Sequence, residues 1–335
     1  MYQELFTIPF TPWTIKGYGT MMVIGFLMAS FLMQRLSKRD GLDPLIVTNA
    51  ALYSLIAGVI GARIFFVLHH IREFKGEFLK VFEIWNGGLE FLGGVILAIV
   101  FLCVYLKRSK MPVKRVLDIM AMGLMLALAF GRIGCILNGC CWGKPTELPW
   151  GIRFPYGSFA YTSQINTNPE RGRETPHLNI PREEYCTHSE YGDVWYPRPI
   201  EELTDSQREK VTHGEYRCLP VHPSQAYASL SALLIFGILY GAWRRARTKP
   251  GTLFGRSGMG FGFMFVLYGL ARFLLELTRD DNPFEWVFLT VSQIIGLGMM
   301  VAGILLMVVF ARQKADIQIG SAESRDQSQE SRVTS

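Results

Sequence analysis

Apolar residues gather along this chain into blocks of about twenty, separated by short polar stretches, and a helix of that length crosses a roughly 30 Å hydrocarbon core. Seven blocks run from Tyr18 to Met33, Leu45 to Leu68, Gly87 to Leu106, Val116 to Leu137, Pro223 to Trp243, Gly258 to Leu277 and Trp286 to Phe310. The pattern predicts an all-α membrane protein with seven transmembrane helices. The first block has no basic leader before it and no small-residue cleavage site after it, so it reads as a retained helix rather than a signal peptide. Composition agrees, since 50% of residues are hydrophobic and only 19% charged, the balance expected when the main solvent is a bilayer.

Basic residues in short connectors set the expected orientation. Arg35, Lys38 and Arg39 follow the first block; Lys107, Arg108, Lys110, Lys114 and Arg115 follow the third; Arg244, Arg245, Arg247, Lys249 and Arg256 follow the fifth. Those alternate connectors are expected to be cytoplasmic. In the second connector Arg72, Lys75 and Lys80 are interleaved with Glu73, Glu77 and Glu83. The N-terminus then lies outside, the C-terminus is cytoplasmic, and a large insertion between the fourth and fifth helices is extracytoplasmic.

That insertion, residues 144–221, is polar and rich in Pro, Arg and Glu, with Trp150, Trp195 and many tyrosines. Its length and aromatic content predict a structured head rather than a loose loop. Residues 1–143 and 222–312 would form the transmembrane core. Cys186 and Cys218 are the cysteines in soluble extracytoplasmic sequence, where a disulfide is permitted, and their pairing is open. Residues 313–335 carry Ser, Gln, Glu and Arg with few apolar residues, the composition of a disordered cytoplasmic tail.

Charged residues inside a span cost about 2.5–3.5 kcal/mol near its centre, so each needs a partner or a purpose. Arg63, Arg132 and Arg272 lie late in the second, fourth and sixth blocks, with Glu276 and Arg279 following Arg272 at i+4 and i+7 on one helical face. At 1.5 Å per residue from the cytoplasmic ends, all three arginines fall in the outer half of the bilayer. An ion pair accounts for Arg272 with Glu276, and interfacial snorkelling accounts for Arg63 and Arg279. Acids are too few to neutralise the whole set. Guanidinium forks match phosphate oxygens, so a phospholipid head group is the expected counterion. A transporter or anionic-lipid-binding protein using the same arginines is the alternative, although no internal repeat of the kind common in transporters is visible.

The fourth block ends Gly131-Arg132-Ile133-Gly134-Cys135-Ile136-Leu137-Asn138-Gly139-Cys140-Cys141-Trp142-Gly143. Glycines bracketing Arg132 and Asn138 allow close backbone approach and a turn that exposes amide donors. This segment resembles the signature of the prolipoprotein diacylglyceryl transferases, bacterial enzymes that attach a lipid to the cysteine of a preprolipoprotein. Tyr18-Gly19, Gly61-Ala62-Arg63, Trp85-Asn86-Gly87-Gly88 with Gly93-Gly94, His222-Pro223-Ser224-Gln225 with Tyr227, and Arg272-Phe273 with Glu276 and Arg279 resemble further motifs in the same order. The likeness covers all seven spans and excludes most of residues 144–221.

The resemblance implies transfer of diacylglyceryl from phosphatidylglycerol to the thiol of a lipobox cysteine, in the bacterial inner membrane with the site facing the outer leaflet. It implies no cofactor and no metal, and as partners phosphatidylglycerol, preprolipoprotein signal peptides and the bilayer, with no nucleic acid. Arg132 and Arg272 would stabilise the departing phosphate, and Tyr18, Asn138, Gly143, Arg63, Glu276 and Arg279 would bind the lipid. The substrate brings the nucleophile, so Cys103, Cys135, Cys140 and Cys141 read as packing residues, and the spacing of Cys135, Cys140, Cys141 and His222 matches no established metal-ligand pattern. The chain departs from the family where Leu92 stands in place of the usual histidine, Cys135 of Asn, Cys140 of Glu, and Ala228 of an acid. Glu90 and His222 are the substitute proton acceptors, and His222 is carried forward with Arg132 and Arg272 as catalytic.

Overall fold

The computed structural model describes every residue except 1–3, 8–13, 73, 75–77, 84–86, 190–193, 250, 282–283, 285–288 and 313–335. The expected disordered tail, Glu73, Lys75 and Glu77, Trp85 and Asn86, and Trp286 at the start of the last block therefore lie outside the described residues. In chain order the helices are α1 (Gly17–Arg39), α2 (Pro44–His69), α3 (Phe91–Arg108), α4 (Val113–Asn138), α5 (Phe159–Ile165), α6 (Arg182–Tyr185), α7 (Asp205–Thr212), α8 (Ser224–Thr248), α9 (Met259–Glu276) and α10 (Val291–Ala311). Seven of them, α1 to α4 and α8 to α10, are long and apolar enough to cross a membrane.

The fold is not purely helical. Two small antiparallel sheets accompany the helices, β1 (Glu4–Thr7) with β2 (Thr14–Lys16), and β3 (Cys186–His188) with β4 (Trp195–Pro197). Helix ends also differ from the apolar blocks. The first helix runs on to Arg39 because backbone hydrogen bonding continues through a last turn whose Lys38 and Arg39 suit its negative end. Before α3, Gly87 (φ 87°) and Gly88 (φ 70°) take left-handed backbone, so the helix starts at Phe91 rather than at Gly87. Asp43 starts α2 sharply by accepting hydrogen bonds from the amides of Leu45 (2.8 Å) and Ile46 (3.4 Å), with Pro44 in the first turn.

The chain divides into two compact units. The second comprises Met28–Leu124, Tyr240–Phe261 and Leu306–Ser335. Within it α2 and α3 pack antiparallel along a seam of small residues, so that backbones approach closely. A Cβ on Gly61 would stand 2.5 Å from the carbonyl oxygen of Gly93 and 2.6 Å from Leu97 Cβ. Backbone cannot swing aside as a side chain can, so Gly61→Ala should force the helices apart at a cost of about 1–3 kcal/mol. Thermal melting in detergent checks this, with Gly58→Ala as the comparison, because a Cβ there has 3.6 Å to its nearest neighbours and should be nearly silent. Elsewhere in this unit the Asp118 carboxylate accepts from the amides of Gly258 (2.6 Å) and Phe261 (2.8 Å) at the start of α9, and Asp40 accepts from Trp243 Nε1 (3.1 Å) and from Arg247.

The first unit comprises Met1–Leu27, Met125–Leu239 and Gly262–Leu305. Here the start of α1 lies antiparallel against the end of α4. Cβ atoms on Gly25, Gly131 and Gly134 would meet Phe130 and Ala127, Met22, and Met21 with Tyr18 respectively. α9 and α10 repeat the device, Gly269 against the carbonyl of Gly296 and Gly303 against that of Gly262. Residues 144–221 have a hydrophobic core of their own, built from Phe154, Tyr161, Ile165, Leu178, Tyr185 and Val221 among others. Gln164 ties it together by donating to Leu219 O (3.1 Å) and accepting from Leu219 N (2.8 Å). Cys186 and Cys218 sit in this core as free thiols, and the Cys218 thiol points at Gln164 Oε1, 3.5 Å away, rather than at Cys186.

Candidate functional site

Helix α4 stops in a Schellman turn. The Gly139 amide donates to Ile136 O and the Cys140 amide to Cys135 O, each at 3.2 Å, with Gly139 in left-handed backbone (φ 73°). In such a turn the residue after the glycine folds back on one five positions earlier, and here both positions are cysteine. Cys141 follows at φ 62°, a left-handed conformation that few residues other than glycine adopt. The result is that the thiols of Cys135, Cys140 and Cys141 lie within 4.8 Å of one another. Hydrogen bonds from the Cys135 and Cys140 thiols hold Cys141 below the ordinary thiol range.

Arg132 projects from the last turns of α4 to this corner, its Nη1 3.9 Å from Cys141 Sγ. It is half-buried, and among the described residues it has no carboxylate partner. Tyr18 lies on the same corner, packed against Gly134. Asn138 is the last residue of α4. Beyond the turn, Gly143 passes so close to the start of α8 that a Cβ would stand 2.5 Å from His222 O and 2.6 Å from Ser224 Oγ. The Lys144 amide donates to Thr278 O (2.8 Å) and the His222 amide to Lys144 O (2.9 Å), so Gly143 and Lys144 form a rung between the residues after α9 and those before α8. Gln225 donates to Cys140 O at 2.6 Å and fixes the turn from α8. His222 Nδ1 lies 3.4 Å from Tyr227 Oη, which in turn accepts from Trp150 Nε1 at 2.7 Å.

On α9, Arg272 Nη1 stands 3.0 Å from Glu276 Oε2, and Arg272 Nη2 donates to Ser292 Oγ at 2.6 Å. Glu276 is 1% exposed, and its other oxygen takes Arg171 Nη2, from residues 144–221, at 3.2 Å. Arg279 makes a two-pronged pair with Asp281, at 2.8 and 2.5 Å. Arg272 and Arg279 are thus each met by a carboxylate, unlike Arg132. Arg63, in the second unit, spends its donors on backbone, with Val81 O at 2.8 Å, Gly87 O at 2.9 Å, Gly88 O at 3.0 Å and Lys80 O at 2.5 Å. It holds the approach to α3. In the same unit His69 Nδ1 stands 2.9 Å from Glu90 Oε2, and Leu92 is 60% exposed.

A cleft of about 640 Å3 lies beside the Glu276 pair, lined by Lys144, Arg171, Arg173, His177, Glu174 and Asp280. Sequence reasoning missed this group. The run Arg171-Gly172-Arg173 inside a polar insertion was the available signal, but nothing in spacing announces a partner over a hundred positions away. Arg173 pairs with Asp280 at 2.5 Å and donates to Ser163 O at 2.8 Å, and His177 Nε2 lies 3.3 Å from the same carboxylate. Burial works to raise Asp280, but the His177 hydrogen bond and the charges of Arg173 and Arg171 outweigh it and hold the carboxyl below its ordinary value. A depressed folded value means that the stabilisation is complete above the unfolded carboxyl value of about 3.9 and is lost as pH falls through the lower folded one. Hydrogen exchange at residues 163–173 should therefore be flat with pH, after correction for intrinsic rates, down to about 4 and rise below it. Asp280→Asn should show the rise already at neutral pH.

A family model described as "Prolipoprotein diacylglyceryl transferase" matches residues 3–309. A protein of Clostridium tetani named phosphatidylglycerol--prolipoprotein diacylglyceryl transferase is similar at 26% identity over 292 residues, covering 87% of this chain and 91% of that one. An Escherichia coli protein of the same name is similar at 27% identity over 305 residues, covering 89% of each chain, and one from Shigella boydii matches to the same extent.

Proposed function

Because the chain belongs to the prolipoprotein diacylglyceryl transferase family, a family of enzymes, we propose that it moves the diacylglyceryl group of phosphatidylglycerol to the thiol of a lipobox cysteine in preprolipoproteins. The thiol sulfur attacks the glyceryl carbon, the carbon–oxygen bond breaks, and glycerol phosphate leaves. The observation that carries this reading is Arg132, a half-buried cation at a glycine-lined turn with no carboxylate partner among the described residues. A phosphate that gains charge as it departs is the ligand such a group stabilises most. Arg272 contributes in the same way with less free charge, since Glu276 offsets part of it and Ser292 aims it. Tyr18, Asn138, Gly143 and Arg279 line the lipid head group's site, Arg63 keeps the approach to α3 in shape, and His222 receives the proton of the incoming thiol.

In this reading the N-terminus lies outside and the C-terminus in the cytoplasm, residues 144–221 form an extracytoplasmic head on a core of residues 1–143 and 222–312, and the site opens to the outer leaflet of the inner membrane. The three basic connectors support that orientation. The test is to incubate purified protein with phosphatidylglycerol and a lipobox peptide and weigh the peptide. A thioether-linked diacylglyceryl adduct is expected on the cysteine peptide and none on its serine counterpart. No adduct, under conditions where the Escherichia coli relative makes one, overturns the proposal.

A further inference from the structure

The thiol cluster of Cys135, Cys140 and Cys141 has more order than small packing residues require. A Schellman turn needs only an apolar contact between the positions that Cys135 and Cys140 occupy. It does not need the following residue to be a cysteine, and still less one held at φ 62°, where a residue other than glycine is strained and where such strain tends to mark function. The turn is clamped from outside by the Gln225 donation to Cys140 O. Three sulfurs within 4.8 Å of one another are at most about one ångström wider apart than the edge of a zinc–sulfur tetrahedron, which at about 2.3 Å per bond is roughly 3.8 Å.

We infer that Cys135, Cys140 and Cys141 form a three-thiolate site for zinc, with a fourth position that takes the substrate's cysteine thiol. The charge balance suits the place. Three thiolates and one divalent cation leave a single negative charge, and Arg132 Nη1 stands 3.9 Å from Cys141 Sγ to meet it. Among the described residues no histidine, aspartate or glutamate joins the three sulfurs, and Cys140 and Cys141 are only partly buried. Three protein ligands with one open position is the arrangement of catalytic rather than structural zinc. A thiol that coordinates zinc is deprotonated outright. The lipobox cysteine would therefore arrive as a metal-bound thiolate, its proton passing to His222. Its sulfur then forms the bond to the glyceryl carbon as the phosphate leaves with the electron pair of the broken carbon–oxygen bond, and zinc keeps its oxidation state throughout.

This rests on the transferase reading and supplies what that reading lacks where Leu92 stands. A thiol activated by a metal needs no strong base beside it.

The experiment is metal analysis of the full-length protein purified in detergent without chelator. Close to one zinc per chain is expected, lost in Cys135→Ser and Cys141→Ser and kept in Cys103→Ser, whose thiol lies outside the cluster. Protein reconstituted with cobalt should show the near-ultraviolet charge-transfer band of thiolate ligands, and the visible bands should shift when a lipobox peptide is added but not when its serine counterpart is. Wild-type protein that takes up neither metal overturns the site, with no reference to any variant's folding. Full thioether formation by metal-free protein overturns it while leaving the transferase reading intact. Bound zinc and a cysteine-dependent cobalt shift without any thioether product would instead uphold the site and overturn the transfer reaction.

Discussion

Arg132→Gln lowers turnover roughly 100- to 1,000-fold, the usual cost of removing one preorganised charge-stabilising donor. The effect is large because no carboxylate among the described residues pairs with this side chain. Its contact is Cys141 Sγ at 3.9 Å from one edge of the guanidinium, which leaves its other donors to the phosphate as the bond breaks. Loss should appear mainly in kcat, since charge builds on the phosphate in the transition state rather than in the bound lipid. Arg132→Lys should recover part of the rate, keeping a charge but not the planar fork that grips two phosphate oxygens. Thioether formation followed against phosphatidylglycerol concentration measures both. A glutamine variant with unchanged kcat would remove this residue from the chemistry.

Glu276→Ala produces the largest loss of stability, about 3–5 kcal/mol, the cost of leaving a buried charge without its partner. Two arginines rather than one lose their counterion, Arg272 on the same helix and Arg171 from the segment between α4 and α8. Activity should fall with stability, because Arg272 is then free to leave the position that Ser292 and Glu276 set. Arg171→Ala combined with Glu276→Ala should recover part of the stability, as the second change removes one of the orphaned cations. Melting of the single and double variants in detergent, read as a cycle, gives the coupling. A single variant as stable as the parent would show that the carboxylate is not what holds the arginines.

The site was partly legible in advance. Glu276 one helical turn from Arg272 reads as a pair in any linear listing of the chain, and the pair is there. Arg63 reads equally well as a lipid ligand or an anchor, and what the fold adds is that its donors close on carbonyls of residues 80–88. A string of residues shows that an arginine lies in a span, but not which carbonyls a distant loop will bring to it. The same holds for Arg171, whose partner is 105 positions away.

What the amino-acid sequence determined by itself was every feature governed by local rules. Seven apolar stretches of bilayer length become helices because a buried backbone must satisfy its own hydrogen bonds, and Gly139 after Asn138 ends α4 because only left-handed backbone closes that turn cheaply. Tertiary structure alone decided which charges meet partners from far along the chain. Arg272 and Arg279 have Glu276 and Asp281 close by along the chain, but only folding brings Arg171 from 105 positions away to Glu276 and closes the carbonyls of residues 80–88 on Arg63. The reason is physical. Coulomb energy depends on distance in space, and the distances that matter here are set by glycine seams and a clamped turn rather than by order along the chain.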